Sequence, residues 1–191
     1  PNQTFGNYQI GDIAYADLNG DGIVDNNDQK SIGQSFPTTT MGIDVTLKYK
    51  GIGLYILGTV TTGITKLCTS SYYWNSGLNG YSVLASDRYH PVNNPEGTQP
   101  RLTTMAADNN QRNSTFWTEN GSFFRLKNIE LSYTLANKSG KGIGKNYKFF
   151  LRGTNLFVLS GIKDLDPERI LSGVTNYPTY RTVTGGLSIS F

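Results

Sequence analysis

The sequence feature that most constrains the fold is an alternation of apolar and polar residues with a period of two. Between residues 41 and 49, apolar side chains occupy the odd positions, and glycine, polar or charged residues occupy the even ones. This period is that of a β-strand, whose successive side chains point to opposite faces of a sheet. The pattern recurs and predicts five antiparallel strands. They cover about residues 41–50, 52–65, 122–135, 147–159 and 181–191.

The connections between the predicted strands alternate in length. Gly51 joins the first two strands and residues 139–145 join the third and fourth, whereas the connections 66–118 and 160–179 are long. Apolar-out, polar-in strands of about ten residues, with short turns on one side only, are typical of an outer-membrane β-barrel. A soluble β-sandwich shares the alternation, but it has no reason to place all its long connections on one side.

Three aromatic residues lie next to the predicted short turns. They form either the aromatic girdle of a membrane interface or a set of ordinary strand aromatics. These residues are Tyr49, Tyr133 and Tyr147.

Composition supports a β protein and argues against several other classes. Charged residues make up 16% of the chain, against about 25% in a typical globular protein, which disfavours coiled coils and charged disordered chains. The net charge of +3 without a Lys/Arg run gives no support for nucleic-acid binding. The single cysteine, Cys68, cannot form an internal disulfide. No stretch reaches the roughly 18 apolar residues of a membrane helix.

The number of strands makes the membrane interpretation more specific. Five strands cannot close a membrane barrel, because the smallest have about eight and an open sheet edge in lipid leaves backbone groups unpaired. We therefore expect the chain to be part of a larger barrel. The start at Pro1, without Met or a signal peptide, also predicts a processed product or a piece of a longer protein.

Residues 1–40 are polar and rich in turns, and they contain a possible calcium loop. The spacing of its oxygen-bearing residues matches EF-hand positions 1, 3, 5, 7, 9 and 12, with Gly22 at the sharp turn. Asp28 replaces the usual bidentate glutamate, and no pair of flanking helices is evident. The loop is therefore either a structural Ca²⁺ site or an Asp/Asn/Gly turn without a metal. The predicted ligands are Asp17, Asn19, Asp21, Ile23, Asp25 and Asp28.

The connection 66–118 is too long for an ordinary loop, and its aromatic residues argue against disorder. Tyrosine and tryptophan offer large amphipathic surfaces that bind sugar rings or peptides. They equally well pack within the loop or against a lid protein. The candidates for ligand or lid contact are Tyr72, Tyr73, Trp74, Tyr81 and Tyr89.

No enzyme constellation is recognisable. His90 and Cys68 are the only residues of their types, lie twenty-two positions apart and have no evident orienting partner. The acidic residues of the segment LDPE are better explained as shaping a loop. We therefore expect no catalytic activity.

Five segments of the sequence carry a resemblance to a known family. The segments are GDIAYADLNGDG (11–22), WTENGSFFRLKNIELSYTL (117–135), GTNLFVLS (153–160), LDPE (165–168) and YPTYRTVTGGLSISF (177–191). Together they resemble the C-terminal part of a SusC/RagA-type TonB-linked outer-membrane transporter, and their order and spacing extend the likeness over nearly the whole chain.

The resemblance implies a transmembrane barrel of about 22 strands with long extracellular loops, in the outer membrane of a Gram-negative, Bacteroidetes-like bacterium. It implies import of oligosaccharides or peptides into the periplasm, with a SusD-like surface lipoprotein as partner and with TonB engaged through upstream parts. The final strand would carry the outer-membrane sorting signal. Its residues would be Val183, Leu187, Ile189 and Phe191.

A second function comes from a different class of protein. A secreted, Ca²⁺-dependent β-sandwich that binds glycans through residues 66–118 would share the alternation and the acidic loop. The one-sided long connections and the terminal Phe191 favour the transporter.

Overall fold

The structure is a computed structural model that describes residues 2–77, 80–104, 109–136 and 145–190. The chain forms two compact units. The loop unit comprises Pro1–Ser35, Thr65–Glu119 and Glu168–Asn176, and the strand unit comprises Phe36–Ile64, Asn120–Pro167 and Tyr177–Phe191.

The strand unit is built on one five-stranded antiparallel sheet with the order β3-β4-β7-β8-β9. The described residues contain four further short strands and three 3₁₀ helices, and no α-helix. None of the helical turns found there has the length and hydropathy needed to cross a membrane. The elements in chain order are β1 Asn2–Gln3, β2 Ile23–Val24, β3 Thr39–Tyr49, β4 Ile52–Thr62, β5 Thr65–Leu67, 3₁₀ helices Val83–Asp87 and Thr115–Trp117, β6 Thr118–Asn120, β7 Phe123–Ala136, β8 Asn146–Ser160, a 3₁₀ helix Ile170–Ser172, and β9 Thr182–Ser190.

The five long strands overlap the five predicted ranges, and one boundary differs visibly. β4 ends at Thr62 instead of continuing to residue 65. Gly63 has φ 68°, a left-handed conformation that interrupts a strand, and a short strand resumes at Thr65. Residue 191 and most of the predicted turn 139–145 lie outside the described residues.

The first hairpin has a two-residue turn. Tyr49 pairs with Ile52, and the two residues between them, Lys50 and Gly51, have φ 47° and 87°. Two positive φ angles define a type I′ turn, whose twist matches that of the flanking strands. The turn thus fixes the register of β3 against β4.

An irregularity crosses β7 and β8. Residue 127 of β7 has no partner in β4, so β7 contains one extra residue there. Opposite residue 127, β8 contains two unpaired residues, 155 and 156, and therefore has one residue more than β7. Asn155 has φ 52° at this point. The bulge explains why the apolar phase of residues 122–135 changes in the sequence: Phe124 and Leu126 precede it and Ile129 follows it.

The loop unit has a small core of its own. Two short sheets, β1 with β2 and β5 with β6, accompany buried apolar residues from distant parts of the chain. Asn109 and Asn110, 2% and 5% exposed, bind the N-terminal segment through their side chains. The buried apolar residues are Val24, Cys68, Tyr73, Ala85, Trp117 and Ile170.

Candidate functional site

One face of the five-stranded sheet is apolar from edge to edge. The register places Leu47, Leu54, Leu131 and Leu151 in a single row across four strands. Leu131 and Leu151 are 53% and 56% exposed. A water-soluble protein rarely exposes a contiguous apolar surface of this extent. Other apolar residues of this face, each at least 36% exposed, are Met41, Ile43, Val45, Tyr49, Tyr133, Leu135, Phe149, Leu159, Val183, Leu187 and Ile189.

The opposite face is polar and carries an ion-pair network. Glu130, 8% exposed, accepts a hydrogen bond from Lys148 Nζ at 2.7 Å and two from Arg152, at 2.9 Å from Nε and 2.6 Å from Nη2. On the same face, Tyr55 donates its hydroxyl hydrogen to Asp44 at 3.1 Å. Paired charges are compatible with an interior filled by water or protein, whereas unpaired charges in contact with hydrocarbon are strongly unfavourable.

A second ion pair anchors the residues that follow β8. Arg125, 3% exposed, places Nη2 2.6 Å from Asp166 Oδ1 in the LDPE segment. Ile162 and Pro167, which flank this contact, are buried. The acidic residue of the motif thus has a structural partner on β7.

The predicted aromatic girdle occupies two neighbouring rows of the apolar face. Tyr49 and Tyr133 share one row with Ile52 and Phe149, next to the type I′ turn. Tyr147 pairs with Leu135 in the next row.

Three of the predicted sorting-signal residues also lie on the apolar face. Val183, Leu187 and Ile189 pair with Gly153, Phe149 and Tyr147 of β8. The fourth, Phe191, is outside the described residues. Sorting itself stays a prediction.

The predicted calcium loop is closed by hydrogen bonds between its acidic side chains and its own backbone. Asp17 accepts from the N–H groups of Gly20 and Gly22 at 2.6 and 2.8 Å. Asp28 accepts from Leu18 at 2.7 Å and from Asp25 at 2.8 Å. Among the described residues, no group of three or more His, Cys, Asp or Glu side chains is arranged to hold a metal ion.

The hydrogen bonds to Asp28 favour its charged form. The N–H of Asp25, followed by those of Leu18 and Asn19, lowers the pKa of the Asp28 carboxyl below its ordinary value. Asp28 therefore closes the loop as a carboxylate, at the position that a glutamate occupies in an EF-hand.

The five predicted ligand-contact aromatics have different environments. Tyr73 is 8% exposed and packs edge-on against Tyr72 with ring centroids 5.2 Å apart. Trp74 packs edge-on against Trp117, whereas Tyr81 is 43% exposed. The fifth, Tyr89, lines a cleft. Ligand contact by these residues stays a prediction.

A cleft of about 590 Å³ opens within the loop unit, and sequence reasoning missed it. Its walls come from residues 11–16, 97–100 and 114–116 together with Tyr89. Gly11 has φ 91°, and a Cβ atom there would lie 2.1 Å from Tyr89 Cδ1, so the ring packs directly on the Gly11 backbone. The only sequence signal for this packing is the glycine itself.

Buried polar groups hold the wall of the cleft in place. Asp12, with a side chain 2% exposed, pairs with Arg101 Nε at 2.8 Å and accepts from Asn110 Nδ2 at 2.7 Å. Tyr15 donates its hydroxyl hydrogen to the Asn109 carbonyl at 2.6 Å. Burial raises the pKa of Tyr15, although nearby Arg112 and Ser114 lower it, so the hydroxyl stays a donor.

The two residues considered for catalysis, His90 and Cys68, are engaged in local backbone hydrogen bonds. His90 Nδ1 accepts from the N–H groups of Val92 and Asn93 at 3.2 and 3.0 Å. Cys68 is buried, and its N–H donates to the Trp117 carbonyl.

Comparison with known proteins identifies the relatives of the chain. It is 32% identical over 197 residues to TonB-dependent receptor P26 of Formosa agariphila, an alignment that covers 95% of the chain and 20% of that protein. It is also 25% identical over 183 residues to TonB-dependent receptor SusC of Bacteroides thetaiotaomicron, covering 93% of the chain and 17% of SusC. No protein-family model matches.

The chain is a segment of a SusC/RagA-type TonB-dependent receptor. The predicted resemblance is therefore confirmed. The receptor segment spans about a fifth of the length of the curated relatives that it matches.

Solved structures support the fold of this receptor segment. It superposes on a structure of the RagAB peptide importer in a closed-closed state with a TM-score of 0.63 and 24% identity, covering 85% of this chain and 18% of that one. A second structure of the RagAB peptide transporter gives a TM-score of 0.62 at the same identity. The all-β, antiparallel part of the predicted fold is confirmed.

Proposed function

We propose that the five-stranded sheet forms part of the wall of an outer-membrane barrel of about 22 strands with long extracellular loops. The observation that carries the proposal is the apolar face of the sheet, whose side chains are exposed in β3, β7, β8 and β9 and at Ile52 of β4, and which lies opposite a polar face. Lipid would cover the apolar face, and further strands of the receptor would pair with the open edges of β3 and β9.

Two adjacent residues of β3 provide the experiment. Val45 lies on the apolar face and Thr46 on the polar face, and both are exposed in the sheet. In lipid, Val45→Arg at mid-strand should destabilise the full-length receptor by about 2–4 kcal/mol, whereas Thr46→Arg should be nearly neutral. Unfolding of the heat-modifiable receptor in detergent and liposomes measures the difference.

The medium in which the protein folds distinguishes the alternative function. In a secreted, Ca²⁺-dependent β-sandwich, Val45 would face the second sheet, and Val45→Arg would destabilise a protein that folds without a membrane. Equal stability of the two variants, or recovery of a cooperatively folded receptor outside the membrane fraction, would contradict the barrel.

We infer that the whole receptor imports oligosaccharides or peptides across the outer membrane, energised through TonB, with a SusD-like lipoprotein at the cell surface. Relatives named as TonB-dependent receptors support the energised mechanism, and the structurally similar RagAB is a peptide importer. Uptake of defined oligosaccharides and peptides by cells with and without the receptor gene tests the inference. Uptake that does not depend on the gene or on TonB would contradict it.

We further propose that the loop 17–28 binds Ca²⁺ as a structural ion, with Asp17, Asn19, Asp21, Asp25, Asp28 and the Ile23 carbonyl as ligands. The EF-hand spacing and the closure of the loop by Asp28 support this proposal. Binding would require the carboxylates to turn inward from their present hydrogen bonds.

Calorimetric titration of the receptor with CaCl₂ tests the calcium proposal, with an expected dissociation constant of roughly 10⁻⁴–10⁻³ M. Asp21→Asn should weaken binding, whereas Asp87→Asn should not, because the Asp87 carboxylate serves a separate turn with Thr98. Titration without heat in the unmodified receptor would exclude the ion.

A further inference from the structure

One wall of the cleft in the loop unit has the properties of an unpaired strand. From Ile13 to Asp17, side-chain exposure alternates between intermediate and exposed with a period of two, which is the pattern of extended backbone. Ile13 is held by Asn109 and Asn110 through its carbonyl and N–H groups. Within the part of the chain that the structure describes, the peptide groups of Ala14 and Ala16 make no hydrogen bond.

The side chains on this wall leave the backbone accessible. Ala14 and Ala16 are the exposed members of the alternation and both line the cleft. Their single methyl groups permit a second chain to approach within hydrogen-bonding distance, about 4.8 Å between strand axes. The rings of Tyr89 and Phe116 supply apolar surface elsewhere in the cleft.

The charge of the described lining disfavours strongly charged ligands. Among the described residues that line the cleft, only Asp12 is charged, and Arg101 already neutralises it at 2.8 Å. A ligand with uncompensated charge would lose its hydration there without gaining an ionic partner. An uncharged chain loses less hydration free energy on entering the cleft.

Main-chain pairing distinguishes a peptide from a sugar as the occupant. A sugar is usually held by several side-chain hydrogen bonds, but Asp12 and the Tyr15 hydroxyl are already engaged with Arg101, Asn110 and Asn109. Thr98 donates to Asp87, which leaves the side chains of Gln99, Ser114 and Thr115 in the described lining for a sugar. A peptide strand needs only backbone groups for affinity, which this wall offers.

We propose that the cleft binds an extended, uncharged stretch of peptide by strand addition along Ile13–Ala16. The proposal rests on the proposed import function, because it assigns one substrate class to a cleft in the loop unit. Recognition through the backbone would be tolerant of ligand sequence, with Tyr89 and Phe116 selecting apolar or small side chains at alternate positions.

The experiment uses the full-length receptor in detergent and a fluorescein-labelled, end-capped (Ala-Thr)₄ peptide as the probe. Fluorescence anisotropy gives its Kd for the unmodified receptor and for Ala14→Pro, which removes one N–H donor while tolerating extended backbone. Ala14→Ser is the matched control, because it keeps the N–H group and adds little volume. We expect Ala14→Pro to weaken binding about fivefold to tenfold and Ala14→Ser to leave the Kd nearly unchanged.

Methylated peptides provide a test that needs no variant receptor. N-methylation removes one ligand donor, so methyl groups on one alternate set of residues should weaken binding and those on the other set should have little effect. Equal effects of both sets, equal Kd values for the two Ala14 variants, or stronger binding of maltoheptaose than of the peptide would overturn the proposal.

The outcome also separates this inference from the proposed function. Heat-modifiable, membrane-inserted receptor that imports nutrient but does not bind the peptide would contradict only the cleft assignment. Failure of the receptor to insert into the membrane would contradict the barrel, whether or not the peptide binds.

Discussion

At the scale of single residues, glycines with positive φ set local geometry in two different ways. Gly11, with φ 91°, provides both a left-handed backbone and the space that the Tyr89 ring fills. Gly20, with φ 80°, provides only the backbone conformation, since a Cβ atom there would meet nothing within 4 Å. Substitutions at the two positions therefore separate the effect of backbone strain from the effect of displacing a packed ring.

Gly11→Ala should displace Tyr89 from the wall of the cleft, whereas Gly20→Ala should not. Each substitution should cost about 1–2 kcal/mol of local backbone strain. Only Gly11→Ala should accelerate amide hydrogen exchange around residues 88–99, where the Tyr89 N–H donates to the Gln99 carbonyl at 2.8 Å. Similar exchange in both variants would show that the ring moves aside without consequence.

Closure of the loop 17–28 should depend on pH through Asp28. The pKa of Asp28 is lower in the folded loop than its ordinary value near 4. The carboxylate therefore stabilises the closed loop at pH values above that ordinary pKa, and this stabilisation is lost as the pH falls through the lower pKa of the folded loop. We expect the amides of Leu18, Asn19 and Asp25 to stay protected at pH 5 and to open in more acidic solution. Hydrogen exchange, corrected for its intrinsic pH dependence, measures this. Asp28→Asn should show open amides already at pH 5.

At the scale of elements, β7 carries two acidic–basic contacts that differ in exposure. Arg125 is 3% exposed in its pair with Asp166, whereas the Arg152 side chain is 50% exposed in its contact with Glu130. Buried pairs are costly to break because the remaining charge loses its partner, and exposed pairs contribute little.

Arg125→Met should release the segment 161–167 and destabilise the strand unit by about 2–3 kcal/mol, near the low end because Asp166 is 23% exposed. Arg152→Met should cost less than about 1 kcal/mol, since Glu130 keeps Lys148 at 2.7 Å. Urea unfolding of the full receptor and protease cleavage within 161–167 report the two effects. Equal losses would contradict the ranking by burial.

At the scale of the whole molecule, the 191-residue chain alone has an apolar sheet face and two open sheet edges. We expect it to aggregate in water, to require detergent, and to form a heat-modifiable barrel only when the rest of the receptor is co-expressed. Light scattering and gel mobility with and without heating measure this. A cooperative, monomeric chain in detergent-free buffer would contradict the membrane assignment.

Sequence reasoning worked where physical periodicity exists. Alternation located the strands, because one face must contact a different medium from the other. It could not locate the cleft, whose walls lie about a hundred residues apart in the sequence and share no period. It also could not separate buried Tyr73 from exposed Tyr81, or identify Asn109 and Asn110 as buried, since polar residues become buried only when specific partners meet them.

The irregularity across β4, β7 and β8 has a consequence for the rim of the sheet. At that level β4 has no extra residue, β7 has one and β8 has two, a progression of zero, one and two across three neighbouring strands. Each extra residue adds about 3.3 Å of strand, so the backbone path at this level is longer in β7 than in β4, and longer again in β8. The bulged strands therefore bend at this level and the local twist increases, on the side of the sheet that leads to the long connections.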